Sequence, residues 1–294
     1  MRTSFWLPLL VLVAPLSEAS ELGRCRFDQA DLQFSGAPRE QASCLLRHVA
    51  KWGKVQPGAA TLPAPLDAII GKPVNTLRAD LGRYLVAAKM NENEIGGSLD
   101  AALSRGRDGA ASAPVARYFV IHDTSWPLYA DAKKFPGDKT AELNALDRYA
   151  GPESVAHVFV DRLGKTLQGH DFGIPWRGTK LENDVVGEPA KGMFLHVELL
   201  QPRRRDASVN RNNDAIAPKP GFTAAQYEKL ALLYAAASAR SGVFMIPAFH
   251  AALDEGIPDG HDDPQNFELR RFAGAVASLL KRLRLGGIAD ATAP

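Results

Sequence analysis

An α/β fold is what this sequence predicts: a central mixed β-sheet flanked by helices and preceded by a mostly helical N-terminal region. Three observations carry that expectation. From Arg117 onward the chain breaks into short apolar runs rich in β-branched and aromatic residues, separated by turn residues. Two longer segments, 223–241 and 264–283, place apolar residues at helical spacing. Before residue 115 the spacing is helical as well, broken by a Pro/Gly-rich stretch over 56–73.

In chain order, residues 1–19 read as an export signal. Arg2 supplies the positive end, the apolar run that follows is too short to span a bilayer, and Ser17-Glu18-Ala19 offers small residues at a cleavage site. Residues 20–114 form a helical extension or subdomain, with helices expected over 39–52 and 75–90 and a flexible connection over the Gly-, Ala- and Ser-rich 96–114. Residues 115–285 form the main α/β domain. Its strands are expected at 118–121, 156–160, 165–168, 193–199 and 243–248, with Asp161-Arg162-Leu163-Gly164 as a hairpin turn. Thr223 and Gln226 make a capping box for the helix 223–241, and Pro264 stands at the first position of the last one. The polar stretch 200–220 reads as a long surface loop, its Arg203-Arg204-Arg205 run as a solvated face.

Composition narrows the function. With 35 Lys+Arg against 33 Asp+Glu over 294 residues, the net charge of +2 predicts no nucleic-acid partner. Only Cys25 and Cys44 occur, which excludes a Cys-rich zinc module. In an oxidising compartment the two can pair, and the loop they close would stabilise the fold by about 3 kcal/mol. The expected location is periplasmic or secreted, with no stable membrane insertion once the signal is removed.

The histidines hold the chemical signal. His122 ends a strand, His250 follows another, and His261-Asp262-Asp263 lies in the loop before the last helix. Groups at strand ends converge at one edge of a sheet, where α/β sites form. Two imidazoles and a carboxylate leave one position open, which suits a hydrolytic zinc ion. Spacing alone leaves bland readings open for each: His122 capping its strand, His250 half-buried in the core, Asp263 capping a helix.

A family resemblance sharpens this. The segment Arg117-Tyr118-Phe119-Val120-Ile121-His122-Asp123-Thr124-Ser125 resembles the opening strand of the zinc-dependent N-acetylmuramoyl-L-alanine amidases of the amidase-2 and peptidoglycan-recognition superfamily. In the same order, the run from Ser154 to Gln168 resembles the family's Ser-x-His-Tyr-x-x-Asp-x-x-Gly-x-x-x-Gln hairpin. Trp176-Arg177-Gly178 sits where Trp-His-x-Gly is usual, and Leu195-His196-Val197-Glu198 resembles the Ile-Gly-Ile-Glu strand. The resemblance covers 117 to about 272 and leaves the N-terminal region outside.

The resemblance implies that His122, His250 and Asp263 are the zinc ligands and that Glu198 is the carboxylate that moves protons. His261 stands where many members carry a lysine that supports the oxyanion, and could serve as that donor or as a ligand; the long segment from His250 to Asp263 leaves His261 and Asp262 as alternatives. Trp126, Trp176, Arg177 and Asn213 are expected to contact substrate. His157 reads as a supporting or packing histidine, and His48, His170 and His196 receive no role. The implied activity is hydrolysis of the amide between N-acetylmuramic acid and L-alanine, with peptidoglycan or muropeptides as partners. The rivals are a non-catalytic peptidoglycan-binding protein on the same fold and a zinc amidase for another periplasmic amide.

Overall fold

The computed structural model describes residues 24–74, 76–130, 134–206 and 215–291; the expected export signal over 1–19 and Asn213 lie outside the described residues. At its centre is a five-stranded mixed sheet of β1 (Tyr118–Asp123), β2 (Val158–Val160), β3 (Thr166–Gln168), β4 (Phe194–Leu199) and β5 (Ile246–Phe249). Their order is β5-β1-β4-β2-β3; all neighbours are parallel except the β2–β3 hairpin. Every residue of β1 is buried, as expected for a parallel strand covered on both faces. The hairpin turns where predicted, with Gly164 at φ +80° and the Asp161 carboxylate accepting the N–H groups of Leu163 and Lys165.

Among the helices, α1 (Pro38–Leu45) and α2 (Leu77–Ala88) belong to the N-terminal region, and α3 (Ala224–Ser241), the single turn α4 (His250–Leu253) and α5 (Leu269–Ala291) follow the sheet strands. The capping box on α3 is present: Gln226 N–H donates to Thr223 Oγ1 at 3.1 Å and Thr223 N–H to Gln226 Oε1 at 3.1 Å. Gly242 ends the helix in the left-handed region at φ +80°. Its alanines, including Ala235, Ala236 and Ala237, are buried on nearly all sides, which lets the sheet and α5 approach it closely. No helix among the described residues is long and apolar enough to cross a membrane.

Four expectations need correction. The last helix starts at Leu269 rather than Pro264, because the preceding backbone is committed to the site: Ala251 N–H donates to Asp263 O, and Gln265 N–H to Asp123 Oδ2. Helix α1 stops at Leu45 instead of continuing to Trp52, since the Arg47 side chain turns back and its Nε takes the Cys44 carbonyl. The segment 96–114 is anchored, with Leu99 and Leu103 buried and the carbonyls of Gly96, Ala101 and Ala102 accepting from the Arg240 guanidinium. Arg203 is no solvated residue: it opens a short strand, is 1% exposed, and pairs with Asp123 at 2.8 Å.

One continuous core runs from Phe27, Leu45 and Leu81 through Tyr118 and Phe194 to Leu233 and Phe272, so the N-terminal region shares the interior of the sheet domain. Cys25 and Cys44 are joined by a disulfide there. Beside them Arg47 makes a two-pronged pair with Glu255, at 3.0 and 2.6 Å, within the segment that separates His250 from Asp263. Burial alone would raise the Glu255 pKa, but the hydrogen bonds from Arg47 and from the Arg24 backbone hold it below the usual range. Glu255→Ala leaves a guanidinium only 1% exposed with its backbone carbonyl acceptors but without its carboxylate, and we expect it to destabilise the fold by about 3 kcal/mol in urea unfolding at neutral pH. A carboxyl whose folded-state pKa is depressed contributes above its unfolded value and loses that contribution as pH falls through the folded one. Wild type and variant should therefore converge in acid; a gap that persists there would refute the electrostatic account.

Candidate metal centre and catalytic carboxylate

The site sits at the C-terminal ends of β5, β1 and β4. His122 is next to last in β1, in register with Glu198 on β4. Phe249 pairs with Ile121, so His250, the first residue of α4, emerges beside His122. Asp263 comes from the loop before α5 and is tied down by the N–H of Asp123, which donates to its Oδ2 at 3.0 Å. Asp123 itself accepts from Arg203, Ser125 and Gln265. Burial pushes Asp123 up to about 7 against the pull of Arg203.

Three side chains converge on one point. His122 Nδ1 and His250 Nδ1 are 2.8 Å apart, and Asp263 reaches the second at 3.1 Å and the first at 3.8 Å. The outward nitrogens face polar groups: His250 Nε2 lies at ion-pair distance, 3.0 Å, from Asp254 Oδ2 without a formed hydrogen bond, and His122 Nε2 lies within hydrogen-bond distance, 3.0 Å, of His196 Nδ1. Such outer contacts are what orient imidazole ligands. Burial disfavours charge on His250, yet the Asp263 and Asp254 carboxylates raise its pKa well above the ordinary value. His122 is shifted the other way, by burial and then by His250. A neutral imidazole, a second imidazole in a pocket that attracts positive charge, and a carboxylate make a donor set that fits zinc with one position left open.

Glu198 stands next to this cluster without joining it. Its Oε1 is 3.8 Å from His122 Nδ1, and its Oε2 is buried with no hydrogen-bond partner among the described residues. Burial, reinforced by Asp263, pushes its pKa well above the usual carboxylate range. The carboxylate lies at the head of a cavity of about 410 Å³ whose walls include Tyr149, Val155, Trp176, Arg177 and Asn183.

The remaining expected site residues spread around this cavity. His261 lines it, but its ring stacks on His250 at 4.2 Å and its Nδ1 points to Asp254 Oδ2 at 3.1 Å, outside the three-residue cluster. Asp262 is likewise outside, with its Oδ2 accepting from Gln265. Trp176 stacks on His170 at 4.1 Å and donates from Nε1 to Val155 O. Arg177 pairs with Glu188 at 2.9 Å. Trp126 is not in the cavity lining; its ring lies under the Arg148 guanidinium at 4.1 Å.

Sequence reasoning missed His196, Glu182 and Asp254. The first could have been found, because His196 and Glu198 are two apart on a strand and so share a face. Asp254 follows His250 by one helical turn, again a readable spacing. Nothing in the sequence marks Glu182, which arrives from a π-helical turn, Leu181–Val186.

No protein-family model matches the chain, and no curated protein matches it. Among solved structures it is similar to the crystal structure of a selenomethionine derivative of AmpD, at 20% identity and a TM-score of 0.33, over 55% of this chain and 85% of that one. What the site can do follows from its own geometry.

Proposed function

We propose that this protein is a zinc-dependent amidase that hydrolyses the bond between N-acetylmuramic acid and L-alanine in peptidoglycan. The convergence of His122, His250 and Asp263 beside the unpartnered carboxylate of Glu198, at the head of an open cavity, carries this reading. The ordered motifs shared with the cell-wall amidases supply the substrate class. A location outside the cytoplasm suits the Cys25–Cys44 disulfide and the export-like N-terminus.

A zinc ion bound by the three side chains supplies Lewis acidity, polarising a carbonyl and acidifying water. The protein's own contribution is positioning and proton transfer. Glu198 Oε2 would take a proton from the attacking water and return it to the departing amine, and burial, which raises its pKa, makes it a stronger proton acceptor than an exposed carboxylate. His261 is the candidate N–H donor to charge developing on the carbonyl oxygen. Trp176 and Tyr149 present aromatic surface to sugar or peptide, and Arg177 offers a cation at the wall.

Digestion of purified sacculi by the zinc-loaded chain lacking residues 1–19, followed by mass spectrometry, tests the proposal. Free stem peptides and peptide-free glycan are expected. Sacculi that are bound but uncut would leave a binding module, and cleavage confined to other amides would leave the metal chemistry while removing the substrate.

A further inference from the structure

The N-terminal region displays one aromatic side chain whose position neither the turn nor the core accounts for. Around the antiparallel bridge of Val49 and Val55 the chain folds into a tight hairpin. Gln56 N–H donates to His48 O at 2.9 Å, Ala50 N–H to Lys54 O at 2.9 Å, and Gly53 N–H to Ala50 O at 3.1 Å. Its tip is Lys51-Trp52-Gly53. Trp52 is 40% exposed and sits in the left-handed region at φ +60°, ψ +31°, where a bulky residue is uncommon. Glycine serves such a backbone without that strain, as Gly53 does beside it at φ +68°. The turn therefore does not require tryptophan. The core does not use it either, since Trp52 belongs to neither buried cluster.

Positive charge frames the ring. Lys51 Nζ lies 4.1 Å from its centroid and pairs on its other side with Asp206. Lys54 and Lys219 are exposed, and neither has an ion-pair partner among the described residues. Asn266 draws the second of these toward the hairpin, its N–H donating to Val49 O at 3.4 Å and its Nδ2 to Pro218 O at 2.9 Å. The hairpin is also fixed to the site. Gly53 lies so close to Asp262 that a Cβ there would collide with the Asp262 Cα and Cβ, and the short strand Ala215–Ile216 packs against the tip. Asp262 and Ala215 in turn line a second cavity, of about 310 Å³, which shares Ser125 and His261 with the cavity of Glu198. The residue next to Trp52 is thus packed on the wall of an extension of the candidate active site.

An exposed indole among ammonium groups matches a polymer of sugar rings that also carries carboxylates. The indole packs on the C–H face of a pyranose, and the lysines meet the negative charge. We propose that the Trp52 tip, with Lys54 and Lys219, is a docking surface for the glycan strands of peptidoglycan, holding the polymer beside the site. The identity of the polymer rests on the amidase reading above.

Binding by zinc-depleted protein tests this, measured by cosedimentation with purified sacculi and by calorimetry with soluble, peptide-free glycan strands. Trp52→Gly suits the left-handed backbone and should keep the fold, yet bind both about 5- to 30-fold more weakly, the loss expected of an exposed aromatic anchor. Trp52→Asn, also at ease in that conformation, should do the same and serves if the glycine variant does not fold. Lys54→Ala combined with Lys219→Ala should weaken binding at low salt and have less effect at high salt. Equal binding by wild type and a folded Trp52 variant, or no glycan binding by the wild type, would overturn the proposal. So would an affinity that depends on Trp52 only for anionic lipid vesicles. Glycan binding that depends on Trp52, in a protein that cuts no sacculi once zinc is added, would support the surface and sink the amidase. Cleavage of sacculi by a protein whose Trp52 variants bind as well as the wild type would do the reverse.

Discussion

Glu198→Gln should lower amide cleavage by about 10²- to 10⁴-fold, the range for losing a positioned general acid–base group, while zinc content stays near one ion per chain. The two effects separate because Glu198 lies beside the ligand cluster and outside it. Glutamine keeps the shape and the strand register opposite His122 but cannot take or return a proton. The loss should appear in kcat more than in KM, since the proton is moved only during the reaction. Metal analysis and single-turnover digestion of muropeptides on the same preparation provide the check. Retention of full activity would remove Glu198 from the mechanism.

The second large effect concerns stability. Two imidazole nitrogens 2.8 Å apart with a carboxylate beside them form a cluster that a cation would hold together. Zinc present at about 1,000 times its dissociation constant would add about 4 kcal/mol to the folded state, roughly 10 °C in Tm for a chain of this size. Calorimetry before and after chelation should show that shift in the wild type. In His122→Ala, where two of the three donors remain, the shift should vanish. An equal response from both proteins would place the metal elsewhere.

Much of the scaffold was legible because buried parallel strands announce themselves. Tyr118 to His122 is an unbroken apolar run ending in a polar side chain, and the Thr223/Gln226 box marks the start of α3 without reference to anything distant. The illegible parts were those decided by long-range partners. Arg203 looks like one of three surface arginines until Asp123, far earlier in the chain, is seen to need it. Small residues over 96–114 suggested slack, whereas they let carbonyls approach a buried Arg240. Pro264 carries a helix-start signal, but hydrogen bonding around Asp263 takes precedence over propensity. In the site, the three clustered residues and Glu198 rested on motif order, while Glu182 had no periodic neighbour to betray it.

The strand order also governs when the centre can exist. β1 holds His122, yet its neighbour β5, which leads into His250, is the last strand of the sheet, and Asp263 comes later still. Arg47, near the front of the chain, likewise waits for Glu255. Contacts so far apart in sequence form slowly. A growing chain therefore cannot bring His122, His250 and Asp263 together until nearly all of it has been made, and under the proposed function a metal would be acquired only by a finished polypeptide. If the chain is exported unfolded, as the proposed function supposes, that point falls on the far side of the membrane, and the zinc supply that would matter is the one in the compartment of destination.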